Sequence, residues 1–187
     1  MSAVRWMSVA KAAPLVAAAL AVGVACGGPS GQDAGRDGSA AGTVVPRTAP
    51  NFSLPNLDGK AVRLSDSAGK VRLVDFWATW CAPCREEIPS FKELYAQYKD
   101  QGFELIAISM DDEGATVVRP FVEKARIPYT NLIGNEAVSD AFGGILGYPS
   151  AFFIDRDGKI VASFVGGVPK KVLEDRIREM LGLAPTS

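Results

Sequence analysis

The residues best equipped for chemistry are Cys81 and Cys84, in the run Trp80-Cys81-Ala82-Pro83-Cys84. Two cysteines three apart at a helix start lie on one face, close enough to close a small disulfide ring. Pro83 suits a first helical turn, which puts Cys81 at a helix N-terminus. Free backbone amides and the helix dipole stabilise a thiolate there. The thiolate is the attacking species in disulfide exchange, so this position activates Cys81. Cys84, one turn further in, is placed to resolve a mixed disulfide. A purely structural disulfide is the alternative, and an exported protein can carry one. A ring this small removes little loop entropy and stabilises a fold poorly, which favours redox chemistry.

Composition excludes much else. The chain has 187 residues and no histidine, so Ser-His and Cys-His nucleophilic pairs and histidine-ligated metals are ruled out. With three cysteines and no second cysteine cluster, a structural zinc site is not expected, nor any other metal. Net charge is −1 with both signs dispersed, so no basic stripe suits a nucleic acid. Apolar residues make up 48% and charged residues 22%, enough for a packed core. Asp75 stands out because it interrupts an otherwise apolar strand; a carboxyl buried there would have a raised pKa and could exchange protons near neutrality. A position facing the surface at a strand edge is the alternative.

Elements that could position these groups begin at Ala49. FSLPNLDGKAVRLSD reads as two short strands turning at Asp58-Gly59. Residues 71–79, VRLVDFWAT, read as a central strand buried on both faces. A helix follows through Tyr98, with Ile88, Phe91, Leu94, Tyr95 and Tyr98 at helical spacing and a kink expected at Pro89. Residues 103–111 form a second buried strand, helices are expected over 116–125 and 136–142, and 151–166 is a hairpin turning at Asp157-Gly158. A last helix runs from about Pro169 to Leu181. Strands alternating with helices predict an α/β layer fold with parallel pairing first and a mixed sheet overall. No internal repeat is present.

The N-terminus reads as an export signal. Arg5 and Lys11 precede the apolar run 12–25, which is too short to span a membrane but matches a secretory signal. Cys26 follows directly, in GVACGG, and resembles the lipid-attachment cysteine of bacterial lipoproteins, although Gly23 departs from that pattern. Ordinary cleavage nearby and an uncleaved anchor are the alternatives. Lipidation of Cys26 would leave an even cysteine pair. Residues 27–48 are rich in Gly, Ser, Ala and Asp and read as a flexible tether. The expected organisation is therefore a signal peptide at 1–25, a lipid-attachment cysteine and linker at 26–48, and one domain at 49–187.

VDFWATWCAPC, residues 74–84, resembles the active-site segment of thioredoxins, and residues 49–181 are similar to the TlpA/ResA-like envelope thiol–disulfide oxidoreductases. APNFSLPNLDGKAVRLSD and GYPSAFFIDRDGKI support this by order and spacing. The resemblance implies a thioredoxin-like fold: a central mixed β-sheet flanked by helices, with an N-terminal β-hairpin and a central insertion. It makes Pro149 a cis-proline beside the cysteine pair, where the residues alone suggest a turn proline. It assigns Asp75 to proton transfer. It also gives Glu87 a part in tuning the cysteines, where the residues alone suggest a first-turn glutamate favoured by the helix dipole. Trp80, Ala82, Pro83 and Tyr148 become substrate-facing, and Ala151 replaces a hydroxyl residue common after the cis-proline.

The activity implied is reduction of disulfides in exported proteins, such as apo-cytochrome c or a copper-site protein. Electrons would come from a membrane donor protein, with no cofactor beyond the Cys81–Cys84 disulfide, and the chain would act as a monomer at the cell envelope. Two other readings stay open. A thioredoxin-fold binding module or metallochaperone needs no exchange, though copper carriers of this shape use a histidine. A peroxiredoxin needs a proline-threonine-cysteine arrangement, whereas Thr79 lies two before Cys81 with no proline just upstream.

Overall fold

Seven consecutive buried residues, Val71–Trp77, form the central strand β4 of a computed structural model that describes residues 45–184. Such a run has no solvent face, and sheet neighbours explain why. The six-stranded sheet has the order β1-β8-β7-β4-β5-β6. Its strands are β1 (Arg47–Thr48), β4, β5 (Phe103–Ser109), β6 (Thr130–Ile133), β7 (Ser150–Ile154) and β8 (Lys159–Val165). β4 pairs parallel with β5 and antiparallel with β7, and β5 pairs parallel with β6, which makes the sheet mixed. A separate hairpin, β2 (Ser53–Pro55) and β3 (Ala61–Arg63), turns at Asp58-Gly59 and touches the sheet edge through a bridge from Asn56 to Leu132.

Among the described residues four α-helices cover the sheet: α1 (Ala82–Tyr98), α2 (Ala115–Ala125), α3 (Glu136–Ala141) and α4 (Lys170–Leu181). Strand alternation sends Leu73 and Trp77 into one core with Phe91, Leu94, Val118, Leu173 and Ile177 from α1, α2 and α4. Val74 and Phe76 point the other way, against Phe52 and Leu54 of the hairpin region and Val138 and Phe142 around α3. α1 runs unbroken through Pro89. The β7–β8 turn is closed by Asp155 Oδ1, which accepts from the backbone amides of Asp157 (3.0 Å) and Lys159 (2.8 Å). Gly158 supplies the positive φ of 81° that this turn requires.

Several expectations are corrected. β4 stops at Trp77 rather than 79 because residues 78–81 turn, with the Cys81 amide bonded to the Ala78 carbonyl. β5 stops at Ser109 rather than 111: the Met110 amide still bonds the Trp77 carbonyl of β4, but the Thr79 amide, next in line on that side, is taken by the Asp111 carboxylate. β6 was not anticipated: four residues give no readable period, and its strand character comes from pairing along β5. With α2, it occupies the place of the expected central insertion. Arg47 and Thr48, expected in the tether, pair with Ile160 and Lys159 of β8, and the Arg47 guanidinium donates to the Phe142 carbonyl at 2.6 Å. The expected signal peptide (1–25), Cys26 and the linker up to residue 44 lie outside the described residues. Among the described residues no helix is long and apolar enough to cross a membrane.

Candidate active site

α1 begins immediately after Cys81, which occupies the capping position in extended geometry. Its Sγ accepts the Cys84 backbone N–H at 3.2 Å, and its carbonyl accepts the Arg85 N–H, also at 3.2 Å. The sulfur thus takes the place of a capping oxygen on an amide the helix cannot otherwise satisfy. Pro83 sits in the first turn, where its missing N–H costs nothing. Cys81 and Cys84 are joined as a disulfide with their Cα atoms 5.3 Å apart. Both are buried, while Ala82 and Pro83 are exposed.

Trp80 is 65% exposed, a high value for so large an apolar residue, and lies directly beside the disulfide. Its ring meets that of half-buried Tyr148 edge-on, with centroids 5.8 Å apart. That contact brings the Tyr148-Pro149 loop alongside the cysteine segment, and the Tyr148-Pro149 bond is cis. Trp77, by contrast, is core: it is buried and packs on Phe121 of α2 at 5.5 Å.

The strand before the disulfide and the helix after it each bury a carboxyl. Asp75 is buried within β4, and burial, followed by the charge of Glu87, holds its pKa well above the usual carboxylate range. Its neighbours across the sheet on the same face are two small residues, Ala107 on β5 and Ala151 on β7. Glu87 is the sixth residue of α1, in the second turn rather than the expected first, so the helix dipole is not what governs it. Burial raises its pKa to about 7, against the lowering effect of the Val168 N–H, which donates to Oε1 at 2.6 Å.

Three groups around the site were not singled out from sequence. Asp111 accepts from the Thr79 amide (2.9 Å), the Thr79 hydroxyl (2.6 Å) and the Ser109 hydroxyl (2.7 Å), which pins the loop leading into Trp80 and Cys81. The signal available was a hydroxyl and an acid together at the carboxyl end of a central strand, where open α/β sheets place their ligands. Tyr129 is buried against Phe91 and Tyr95, and burial, with the charges of Asp75 and Glu87, raises its pKa. Asn131 is buried on β6 in the same cross-sheet row as Asp75. Among the described residues no cluster of three His, Cys, Asp or Glu side chains is placed to hold a metal ion.

The sequence model of the AhpC/TSA family matches residues 45–163. A thiol-disulfide oxidoreductase ResA from Bacillus thuringiensis subsp. konkukian is 36% identical over 136 residues, covering 72% of this chain and 77% of that protein. The thioredoxin-like protein YneN of Bacillus subtilis is 32% identical over 131 residues, covering 69% of this chain and 76% of its own. Among solved structures, a thioredoxin-family thiol:disulfide interchange protein from Chlorobium tepidum matches with a TM-score of 0.68 and 31% identity, over 74% of this chain and 99% of that one. The mixed sheet, the helix-start cysteine pair and these relatives converge: this chain belongs to the TlpA/ResA-like thiol–disulfide oxidoreductases of the thioredoxin superfamily, and it is an enzyme of that kind.

Proposed function

We propose that this chain is an exported reductant of disulfides in other envelope proteins, acting through Cys81 and Cys84 and recharged by a membrane dithiol donor. The observation that carries the exchange chemistry is the capping geometry at Cys81, whose Sγ, the group on which a thiolate forms, already accepts the Cys84 amide at 3.2 Å. The reducing direction is the one implied by the resemblance of the Cys81-Ala82-Pro83-Cys84 segment to reducing members of the family. A charged sulfur there gains a charge-assisted hydrogen bond and the helix dipole, so the pKa of the reduced Cys81 falls. Trp80 and the Tyr148-Pro149 loop form the surface a substrate protein meets.

Reduction takes two successive thiol–disulfide exchanges. The Cys81 thiolate attacks one sulfur of the substrate disulfide; the substrate S–S bond breaks and its other sulfur leaves as a thiolate. Cys84 then loses its proton to a buried carboxylate, Asp75 or Glu87, and attacks Cys81 Sγ. The mixed disulfide breaks, the second substrate sulfur leaves, and the chain is left in the disulfide form of the structure. Two electrons have passed to the substrate, which takes up two protons. A donor dithiol reverses the change on this chain. Glu87, with its pKa about 7, can both take and return a proton at neutral pH.

A redox titration of the full chain in glutathione buffers, followed by tryptophan fluorescence, tests the direction. A two-electron midpoint near about −270 mV is expected for a reductant. A midpoint near about −120 mV would reverse the assignment to a disulfide-inserting oxidant. A transition that survives in Cys81→Ser would remove the dithiol chemistry altogether.

A further inference from the structure

One cross-sheet row has an unusual content. Asp75 on β4, Ala107 on β5 and Asn131 on β6 are successive register partners, so their side chains rise from the same face. That face is the one covered by α1, α2 and α4, and all three residues are buried. Asp75 Oδ1 and Asn131 Oδ1 are both buried and neither has a hydrogen-bond partner in the protein. The orientation of the Asn131 amide is set by chemistry: its Nδ2 donates to the Tyr129 carbonyl at 2.8 Å, which leaves the oxygen as the free end.

When Asp75 is ionised, its oxygen and that of Asn131 are both acceptors and cannot satisfy one another. Neighbouring strands lie about 4.8 Å apart, so the backbones of Asp75 and Asn131 stand about 10 Å apart. No hydrogen bond joins the two oxygens. The residue between them in the row is alanine, whose methyl takes up little space. Two buried acceptors without a partner in the protein call for one small molecule with two donors, and buried polar groups left unsatisfied in this way commonly hold water.

We propose that a single ordered water sits above Ala107, donating one hydrogen to Asp75 Oδ1 and the other to Asn131 Oδ1, and that Asn131 is thereby a positioning residue for the proton Asp75 exchanges. The inference rests on the reading of Asp75 as a proton-transfer group. A hydrogen bond to a carboxylate is stronger than one to a neutral carboxyl, so the water favours the ionised form and partly counters burial. Two other titratable groups interact with Asp75: Glu87 from α1 and Tyr129 from the loop before β6. β7 contributes Ala151, and α4 contributes Leu173 and Ile177.

Two measurements on the full oxidised chain test this without any exchange assay. A high-resolution crystal structure should show a water within hydrogen-bond distance of both oxygens; an empty gap or a direct Asp75–Asn131 contact overturns the proposal. Infrared difference spectra follow the carboxyl stretch of protonated Asp75 with pH, identified by its loss in Asp75→Asn. In Asn131→Leu the water loses its second anchor, and Asp75 should hold its proton about ten-fold more tightly, a midpoint about one pH unit higher. An unchanged midpoint overturns the proposal. Failure of either leaves the thiol chemistry standing, and loss of the thiol chemistry leaves this site standing.

Discussion

Glu87 shows how one residue's surroundings set its chemistry. On an exposed helix it would be an ordinary acid; here it is buried, with a backbone amide from the loop before α4 on one oxygen. Its pKa rises from 4.5 to about 7, so the folded chain binds this proton more tightly than the unfolded chain does. Stability therefore falls as pH rises from 4.5 through about 7, because the folded state must then bury a charge the unfolded state solvates freely. Asp75, shifted in the same direction, adds to this trend. Glu87→Gln keeps an oxygen for the Val168 N–H but cannot ionise. Denaturant unfolding of the oxidised variant should show a shallower loss of stability over this range, with a gain over wild type at alkaline pH. A pH profile parallel to wild type would mean the buried carboxyl is not what the curve reports. The residue-scale features legible in sequence were the cysteine spacing and the acid in an apolar strand. The burial of Glu87 was not, because a helix position one turn past Cys84 faces solvent or core depending on where the Val168 loop lies.

At the scale of elements, the parallel β5–β6 edge holds the row containing Asn131, and its end is set by one close approach. The Gly134 amide donates to the Ser109 carbonyl at 2.7 Å. A Cβ at Gly134 would come within 2.8 Å of Ile108 Cγ2 and 2.9 Å of the Ser109 carbonyl oxygen, and would also strike Met110 Sδ. Gly134→Ala should therefore lower the stability by about 1–3 kcal/mol through overpacking. Urea unfolding should show the midpoint falling with an unchanged slope; a variant as stable as wild type would mean that β6 yields without cost. The order of strands and helices around the cysteine segment was readable because central strands leave long apolar runs and hairpins leave Asp-Gly pairs. β6 and β1 were not, since two to four residues carry no period and become strands only by pairing with β5 and β8.

For the whole molecule, the proposed arrangement is a catalytic domain tethered through Cys26 to a membrane, with residues 27–44 as the spacer. Expressed in a bacterial host and labelled with radioactive palmitate, the full chain should incorporate label and fractionate with membranes. Cys26→Ser should lose the label and move to the soluble exported fraction, while keeping the Cys81–Cys84 redox transition. Label retained in Cys26→Ser would place the lipid elsewhere; absence of label in the wild type would leave ordinary cleavage or an uncleaved anchor.

The α/β architecture, the family and the place of Cys81 at a helix start were all legible before any tertiary contact was known. Each follows from local information: apolar period, turn residues and the spacing within one short segment. Which side chains share an interior follows from packing between elements. The meeting of Glu87 with the Val168 amide, the hold of Asp111 on Thr79, and the alignment of Asp75, Ala107 and Asn131 join residues from different elements. Strand register sets that last row, and register depends on how whole faces of the sheet are buried rather than on any residue read alone.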